Sequence, residues 1–188
     1  TSTLLYSQSN AGSRANDLLK FDLSTLAGAT ITDATLNWWT SSTSGTGNAK
    51  LHRILAANSA WTEAGVTWNY ALASTTRWAG DAASDGGTDA GCSVAGTDYA
   101  TAEMGSVVLT NGEAAGTAKS ATLNVTEFTS EVAADYGIFL RKDSSGYHAL
   151  YSSDYTTDTT KRPQLVVNYT TAGAVIPIFT NQYRQRVN

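Results

Sequence analysis

Aromatic and polar side chains of this 188-residue chain could together hold a sugar. A sugar stacks its C–H patches on an aromatic ring, and its hydroxyls bond to Asp, Asn, Arg or Gln side chains. Trp39 is the first candidate, and Trp78 with its neighbour Arg77 is the second. The further aromatic candidates are Tyr147, Tyr151 and Tyr155. For Trp39, packing under a loop or against a neighbouring subunit is the alternative to sugar binding.

Three aspartates in the Gly-rich segment 79–98 recur at every fourth position, a spacing that could serve a calcium ion. With Asp81 at the first position of a calcium loop, Asp85 and Asp89 occupy the fifth and ninth. An EF-hand is excluded, because Ala83 and Cys92 stand where that loop needs its third and twelfth ligands. A looser oxygen cage for calcium and plain turn chemistry both remain open.

No residues combine in a catalytic pattern, so we predict no enzymatic activity, no catalytic residues and no cofactor besides possible calcium. His52 and His148 lie in strand-like runs without metal-ligand spacing, and both are expected on the surface of a sheet. Glu63 has no second carboxylate in an obvious partner position. We expect it to accept hydrogen bonds from loop amides.

The composition is typical of a folded domain with many turns. Hydrophobic residues make up 41% of the chain and charged residues 15%, which excludes a disordered protein. The net charge of −4 supplies no basic field for a nucleic acid. No apolar run approaches the ~18 residues of a membrane span. The single cysteine, Cys92, cannot form an intrachain disulfide, so packing alone must stabilise the fold.

The hydrophobic periodicity is mostly two, which predicts strands. In the run 34–39, Ala34, Leu36 and Trp38 share one face, while Trp39 lies on the other with polar residues. Similar short runs recur along the chain with turn residues between them. We therefore predict an all-β fold, an antiparallel two-sheet sandwich of jelly-roll type.

Besides the strands, the sequence predicts one helix and one structural segment that contains two tryptophans. The stretch from Thr126 to Ala134 is expected to form a short helix with Thr126 as its N-cap. The stretch "WTEAGVTWNY" is expected to be structural. In it Trp61 would close a loop edge, and Trp68, which shares its parity with Val66, would lie beneath a sheet.

The last 17 residues look unlike the rest of the chain. We therefore divide the sequence into a sandwich, residues 1–171, and a C-terminal arm, residues 172–188. Pro177 disfavours a central strand there. The arm is either a frayed terminus or a segment that docks on a neighbouring subunit. The candidate docking residues are Val175, Ile176, Pro177, Ile178, Phe179, Tyr183, Arg184 and Arg186.

Five separated segments resemble the DNRLRE domains, which are also classed as disaggregatase-related carbohydrate-binding modules. They are "LLKFDLSTLAGATITDATLNWW", "WTEAGVTWNY", "YGIFLR", "LYSSD" and "RPQLVVNYT". Their order and spacing agree with the family over roughly residues 16–170. Asp17 stands at about the place where members often have an arginine, and the arm has no recognised counterpart.

The resemblance implies a jelly-roll β-sandwich without catalytic residues that binds polysaccharides or surface glycans. Such domains occur beside polysaccharide-degrading enzymes, in cell-surface proteins and in bacteriophage particles. Two hypotheses follow: an adhesive glycan-binding module, or a structural virion decoration or fibre protein anchored to neighbouring subunits by its arm. Either role implies an extracellular, cell-surface or virion-surface location.

Overall fold

A computed structural model of the chain describes residues 4–10, 13–72, 75–81, 91–171 and 181–184. Within these ranges the strands are β1 (Leu4–Asn10), β2 (Ser13–Ala15), β3 (Asp17–Leu19), β4 (Thr30–Ser44), β5 (Gly47–Arg53), β6 (Tyr70–Leu72), β7 (Thr76–Arg77), β8 (Gly105–Leu109), β9 (Thr117–Thr122), β10 (Ile138–Lys142), β11 (Tyr147–Tyr151), β12 (Gln164–Thr170) and β13 (Asn181–Arg184). Helix α1 spans Val125–Ala134, and short 3-10 turns span Ser24–Leu26, Ala56–Asn58 and Thr159–Lys161.

Two antiparallel sheets make up most of the described structure. In sheet A the pairing runs β13-β12-β4-β11-β1-β2. Strands β12 and β11 share one edge of β4, one after the other, and β9 pairs with the opposite edge. Sheet B has the order β3-β10-β5-β8, and β6 and β7 form a separate small hairpin. The prediction of an antiparallel all-β sandwich is confirmed.

Strand β4 organises sheet A because it pairs with three other strands. Its first half pairs with β12 through residues 30–37, and its second half pairs with β11 through residues 40–44. On the opposite edge, residues 35–40 pair with β9. Fixed on both edges, this strand has one register, and its alternating side chains have assigned faces.

The main core lies between the inner faces of the two sheets. From sheet A it takes Leu36, Trp38 and Leu165, and from sheet B it takes Leu51 and Leu140, all fully buried. Burying each such side chain stabilises the fold by about 1.5–3 kcal/mol. The predicted alternation along β4 is therefore confirmed: its even-numbered apolar residues from 34 to 38 face the core.

A second core covers the outer face of sheet B. Along β10, Ile138 and Leu140 face the main core, whereas Phe139 points the other way and packs into the second cluster. This cluster also contains Trp61 and Trp78, which come from the long connection between β5 and β8. Around β10, sheet B thus has packed protein on both faces.

The segment "WTEAGVTWNY" meets the structural expectation in part. Trp61 is buried in the second core, and its indole N–H donates to the carbonyl of Tyr136 at 2.5 Å. Trp68 is half-buried and precedes the first residue of β6, so the prediction that it lies beneath a sheet is wrong. Its ring instead lies against Gly91, where a Cβ would clash with it and where φ is +87°.

Both histidines are buried, so their predicted surface position is wrong. His52 is 7% exposed, and its Nδ1 lies 2.9 Å from the carbonyl oxygen of Ala100. His148 is fully buried on the inner face of β11, beside Trp38 and 3.3 Å from the hydroxyl of Thr40. Burial lowers the pKa of His148 to about 4, which keeps the ring neutral at physiological pH.

Helix α1 covers part of the sandwich core with Phe128, which is fully buried. Its N-cap is Asn124, whose Oδ1 accepts hydrogen bonds from the backbone N–H groups of Thr126 and Glu127. The prediction that Thr126 is the cap is therefore wrong by two positions. Asn, like Thr, provides a side-chain acceptor oxygen, and here the oxygen of Asn124 meets the free amides at the start of the helix.

Glu131 on α1 is a carboxylate with 1% exposure. One oxygen accepts a hydrogen bond from the backbone N–H of Gly137 at 2.6 Å, while the other has no hydrogen-bond partner. Burial raises its pKa from 4.5 to about 8, although the Gly137 bond opposes the shift. The folded chain therefore holds this proton more tightly than the unfolded chain does.

Strand β13 adds to the outer edge of sheet A. Residues 181–184 pair antiparallel with residues 164–167 of β12, with Tyr183 opposite Leu165. Part of the arm thus extends the sheet of its own chain. The arm residues from Ala172 to Thr180 and from Gln185 to Asn188 lie outside the described residues.

We predict that Asn124→Ala lowers the free energy of unfolding by about 1 kcal/mol, because two amides at the start of α1 lose their acceptor. Thr126→Ala is the matched control, since Asn124 provides the cap, and it should change stability much less. Urea unfolding followed by circular dichroism measures both. A larger loss in Thr126→Ala than in Asn124→Ala would contradict the capping assignment.

We also predict that Glu131→Gln changes how stability depends on pH. A raised carboxyl pKa stabilises the fold fully below pH 4.5, and this contribution is lost as pH rises from 4.5 to about 8. The wild-type chain should therefore lose stability relative to Glu131→Gln by up to about 1.4 kcal/mol per pH unit. Urea unfolding of both proteins across this pH range tests the prediction, and parallel pH profiles would refute it.

Candidate functional site

The outer face of sheet A offers Trp39 to the surroundings. In β4 this half-buried residue alternates with Trp38 and Thr40, which are fully buried on the inner face. On the β9 side its register partner is Ala118, which is exposed and too small to cover an indole ring. The expected orientation of Trp39 away from the core is thus observed.

Strands β1 and β11 extend this outer face. Leu5 pairs with Leu150 and Ser7 with His148 on the inner face, so Tyr6 and Tyr147 point outward. The two tyrosine rings stack, with centroids 5.1 Å apart and planes inclined by 21°. Tyr6 is 39% exposed, so one ring of this pair has an accessible surface.

A local turn positions Tyr147 at the start of β11. Gly146 precedes it with φ at +101°, a conformation that side chains other than glycine rarely adopt. A Cβ at this position would clash with the carbonyl oxygen of Ser44 on β4. Gly146 thus allows β11 to begin close against β4 with Tyr147 on the outer face.

At the other end of β11, Tyr151 lies under Tyr155. Their ring centroids are 4.0 Å apart and their planes are inclined by 19°. Tyr151 is 8% exposed and belongs to neither core, whereas Tyr155 is half-buried. Tyr151 therefore supports the site from below, and Tyr155 presents the ring that a ligand would meet.

The loop after β11 holds Tyr155 in place. The hydroxyl oxygen of Ser152 accepts a hydrogen bond from the backbone N–H of Asp154 at 3.1 Å, which tightens the first turn of the loop. The guanidinium Nε of Arg162 donates to the carbonyl of Tyr155 at 2.8 Å. These contacts fix the backbone that carries the tyrosine over the sheet.

The register of β11 on β4, extended by one residue beyond its last pair, brings Tyr151 level with Trp39. Leu150 pairs with Thr40, so the next position along the same register places Tyr151 beside Trp39. Trp39, the Tyr151–Tyr155 stack and the Tyr6–Tyr147 stack therefore share one surface. We call this surface, formed by Tyr6, Trp39, Tyr147, Tyr151 and Tyr155, the aromatic face.

Polar groups border the aromatic face. Ser42 and Ser44 of β4 pair with Ala149 and Tyr147 and share their outward orientation. Lys161 lies beside Gly116, with its Nζ 3.3 Å from the position that a Cβ on this glycine would take. The same ammonium group is 3.6 Å from a carboxylate oxygen of Asp158. Rings beside hydroxyls and a cation can both stack on a sugar and bond its hydroxyl groups.

Burial and neighbouring tyrosines shift the tyrosine pKa values on this face. Burial, and then the nearby Tyr147, raise the pKa of Tyr6. Burial and Tyr155 raise the pKa of Tyr151, partly offset by Lys161 and a hydrogen bond with Ser41. The raised pKa values keep the phenols of Tyr6 and Tyr151 protonated at physiological pH.

The other predicted tryptophan, Trp78, does not lie on the aromatic face. It is 2% exposed in the second core, and its indole N–H donates to the carbonyl of Thr67 at 3.1 Å. Arg77 is exposed, but its guanidinium donates to Asp81 at 2.6 Å and lies over the ring of Tyr70. Both residues are on the far side of sheet B, so they form no common site with Trp39.

The predicted calcium site can be followed at one of its three residues. Asp81 is 8% exposed, with one oxygen paired to Arg77 and the other without a hydrogen-bond partner. Asp85 and Asp89 lie outside the described residues. Within the described ranges, no three His, Cys, Asp or Glu side chains come together as a metal site would require. Calcium binding stays a prediction.

Most of the predicted docking residues lie outside the residues that the structure describes. Val175, Ile176, Pro177, Ile178, Phe179 and Arg186 are outside the described residues, and Tyr183 and Arg184 are placed by their backbone in β13. Of the helices in the described part, none is long and apolar enough to span a membrane.

Tyr6 is the residue of the aromatic face that sequence reasoning missed. The signal was available in the run "LLYSQ", where Tyr6 alternates with Leu5 and Ser7. Strand parity alone would have placed it outside once Leu5 was assigned to the core. Its role in the aromatic face depends on stacking with Tyr147. That residue is 141 positions away, so the sequence alone does not predict the contact.

Comparison with models of known protein families gives a match to part of the chain. Residues 1–88 of the 188 match the model of carbohydrate-binding module family 96. This match supports a carbohydrate-binding module family, whose members are in general non-catalytic, and it includes β1, β4 and Trp39. No curated protein and no solved structure matches the chain significantly.

Proposed function

We propose that this chain is a non-catalytic module that binds a polysaccharide or surface glycan on the aromatic face. The observation that carries the proposal is Trp39, held outside the core on a strand that is paired along both edges. The family match to residues 1–88 supports the same class of ligand. The stacked tyrosine pairs supply further rings on the same surface.

The position of the second core favours this face over the outer face of sheet B. Phe139, Trp61 and Trp78 pack between sheet B and the long connection that covers it. A ligand there would have to displace a packed core, which costs several kilocalories per mole. On sheet A, by contrast, Tyr6 already has an accessible ring and Trp39 a partly accessible one.

An open sheet face with aromatic rings suits adhesion to a long glycan. Rings held by strand pairing and by stacking on one another lose little conformational freedom when a sugar binds. We place the module outside the cell, at a cell surface or on a virion, where polysaccharides are found. There it would attach the protein or particle that carries it to the glycan, without cleaving the glycan.

We predict that Trp39→Ala weakens polysaccharide binding by about 30-fold or more, as expected when a central aromatic contact of about 2 kcal/mol is lost. Affinity gel electrophoresis measures this with laminarin, xylan, galactomannan, alginate and polygalacturonate cast separately into the gel. The variant should fold normally, because its side chain is outside the core.

Two control variants sharpen this test. Arg77→Ala removes an exposed candidate on the far side of sheet B, and Val108→Ala removes a side chain that is 61% exposed on β8. Both should bind like the wild type. Retained binding by Trp39→Ala, or lost binding by Arg77→Ala alone, would overturn the location of the site.

A structural subunit anchored by its arm is the second candidate function. The apolar residues Val175–Phe179 favour it, because such a run is poorly placed in water and suits burial against a partner. The adjoining strand β13 lies at the sheet edge next to β12. A sandwich of this kind would be a rigid knob on a virion or fibre, with or without glycan binding.

We predict that deleting residues 172–188 leaves a folded monomer that no longer self-associates, because the anchoring segment is gone. Sedimentation velocity compares this truncated chain with the full chain, and circular dichroism checks its fold. Ile178→Asp in the full chain should reproduce the loss of association while keeping β13. Identical sedimentation of all three proteins would exclude the arm as an anchor between copies.

A further inference from the structure

The aromatic face has its rings in two groups rather than one. One group is the Tyr6–Tyr147 stack, and the other is Trp39 with the Tyr151–Tyr155 stack. Both groups are anchored on β11, at its first and last residues. Tyr6, the exposed ring of the first group, pairs with Ala149, which is two residues from Tyr151 along β11. Trp39 lies two strands away from Tyr6, at the level of Tyr151. With about 3.4 Å per residue and about 4.8 Å between strands, the Cα atoms of Tyr6 and Trp39 are about 12 Å apart.

The surface between the two groups is continuous and closed. Ala149 lies midway along β11 with its side chain on the outer face, and it is 1% exposed. It belongs to neither core, so neighbouring side chains of the outer face cover it. A ligand that touches both groups therefore meets a filled floor at Ala149 between them.

Hydrogen-bonding groups lie along the same stretch. Ser42 pairs with Ala149 and Ser44 with Tyr147, both facing outward from β4. On the other side of β11, Gln8 of β1 pairs with Tyr147. A linear glycan laid obliquely across β11, from Tyr6 to Trp39, would thus find hydroxyl and amide partners beside it and a ring at each end.

From this arrangement we infer that the aromatic face contains two separate stacking subsites that one linear oligosaccharide of several sugar units must span. The inference rests on the proposed function and adds the size and shape of the ligand. A separation of about 12 Å exceeds the distance between two directly linked sugar rings, so a monosaccharide or a disaccharide engages one subsite at a time. A longer chain engages both and gains the second contact without a second loss of translational freedom.

The test is isothermal titration with laminarin, xylan, mannan and alginate oligosaccharides from disaccharide to hexasaccharide. Affinity should rise at least roughly tenfold along the series that binds and then level off once both subsites are filled. Tyr6→Ala should remove most of that rise, so that the hexasaccharide binds the variant about as weakly as the disaccharide does. Tyr6→Phe keeps the ring and should retain the full rise.

Each other outcome has a distinct meaning. If the disaccharide binds as tightly as the hexasaccharide, or if Tyr6→Ala keeps the full rise with length, the two-subsite inference is overturned while glycan binding stands. If the wild-type chain binds none of these oligosaccharides nor their parent polysaccharides, the proposed function itself fails and this inference fails with it. Circular dichroism of Tyr6→Ala confirms that any loss is not unfolding.

Discussion

The strict alternation of side chains along β4 is the constraint on which the rest of this structure depends. Three strands fix the register of β4, and a shift by one residue would move Trp38 out of the core and Trp39 into it. The same pairing that builds the sandwich therefore also presents the candidate binding ring. The core and the proposed binding site thus depend on two adjacent tryptophans that face opposite ways.

The two cores then decide which surface is open to a ligand. Around β10, sheet B is packed on both faces, with Phe139 pointing into the second core and its neighbours in the strand pointing into the first. Sheet A is packed on its inner face and carries Tyr6, Trp39 and the stacked tyrosines on the other. The long connection between β5 and β8 is therefore structural cover, which explains why Trp61 and Trp78 are buried.

The sequence predicts what depends on local periodicity and misses what depends on distant contacts. The alternation of apolar and polar residues predicted that Trp39 faces away from the core and that the fold is an antiparallel sandwich. Both are observed. It could not show that His148 is buried, because a polar residue on an inner face looks the same as one on the surface. Nor could it show that Tyr155 covers Tyr151 or that Trp78 lies under a long loop, since those contacts arise from chain folding between distant or irregular segments.

The five tryptophan indoles offer the most direct measurement of where a glycan binds. Trp38 reports on the main core, Trp61 and Trp78 on the second core, and Trp39 on the aromatic face. The protein, labelled with nitrogen-15, is titrated with oligosaccharides of a polysaccharide that it binds, and NMR follows the indole N–H signals. The signal of Trp39 should shift, while those of Trp61 and Trp78 should stay in place. Shifts of Trp61 or Trp78 with an unmoved Trp39 would contradict the aromatic face as the site.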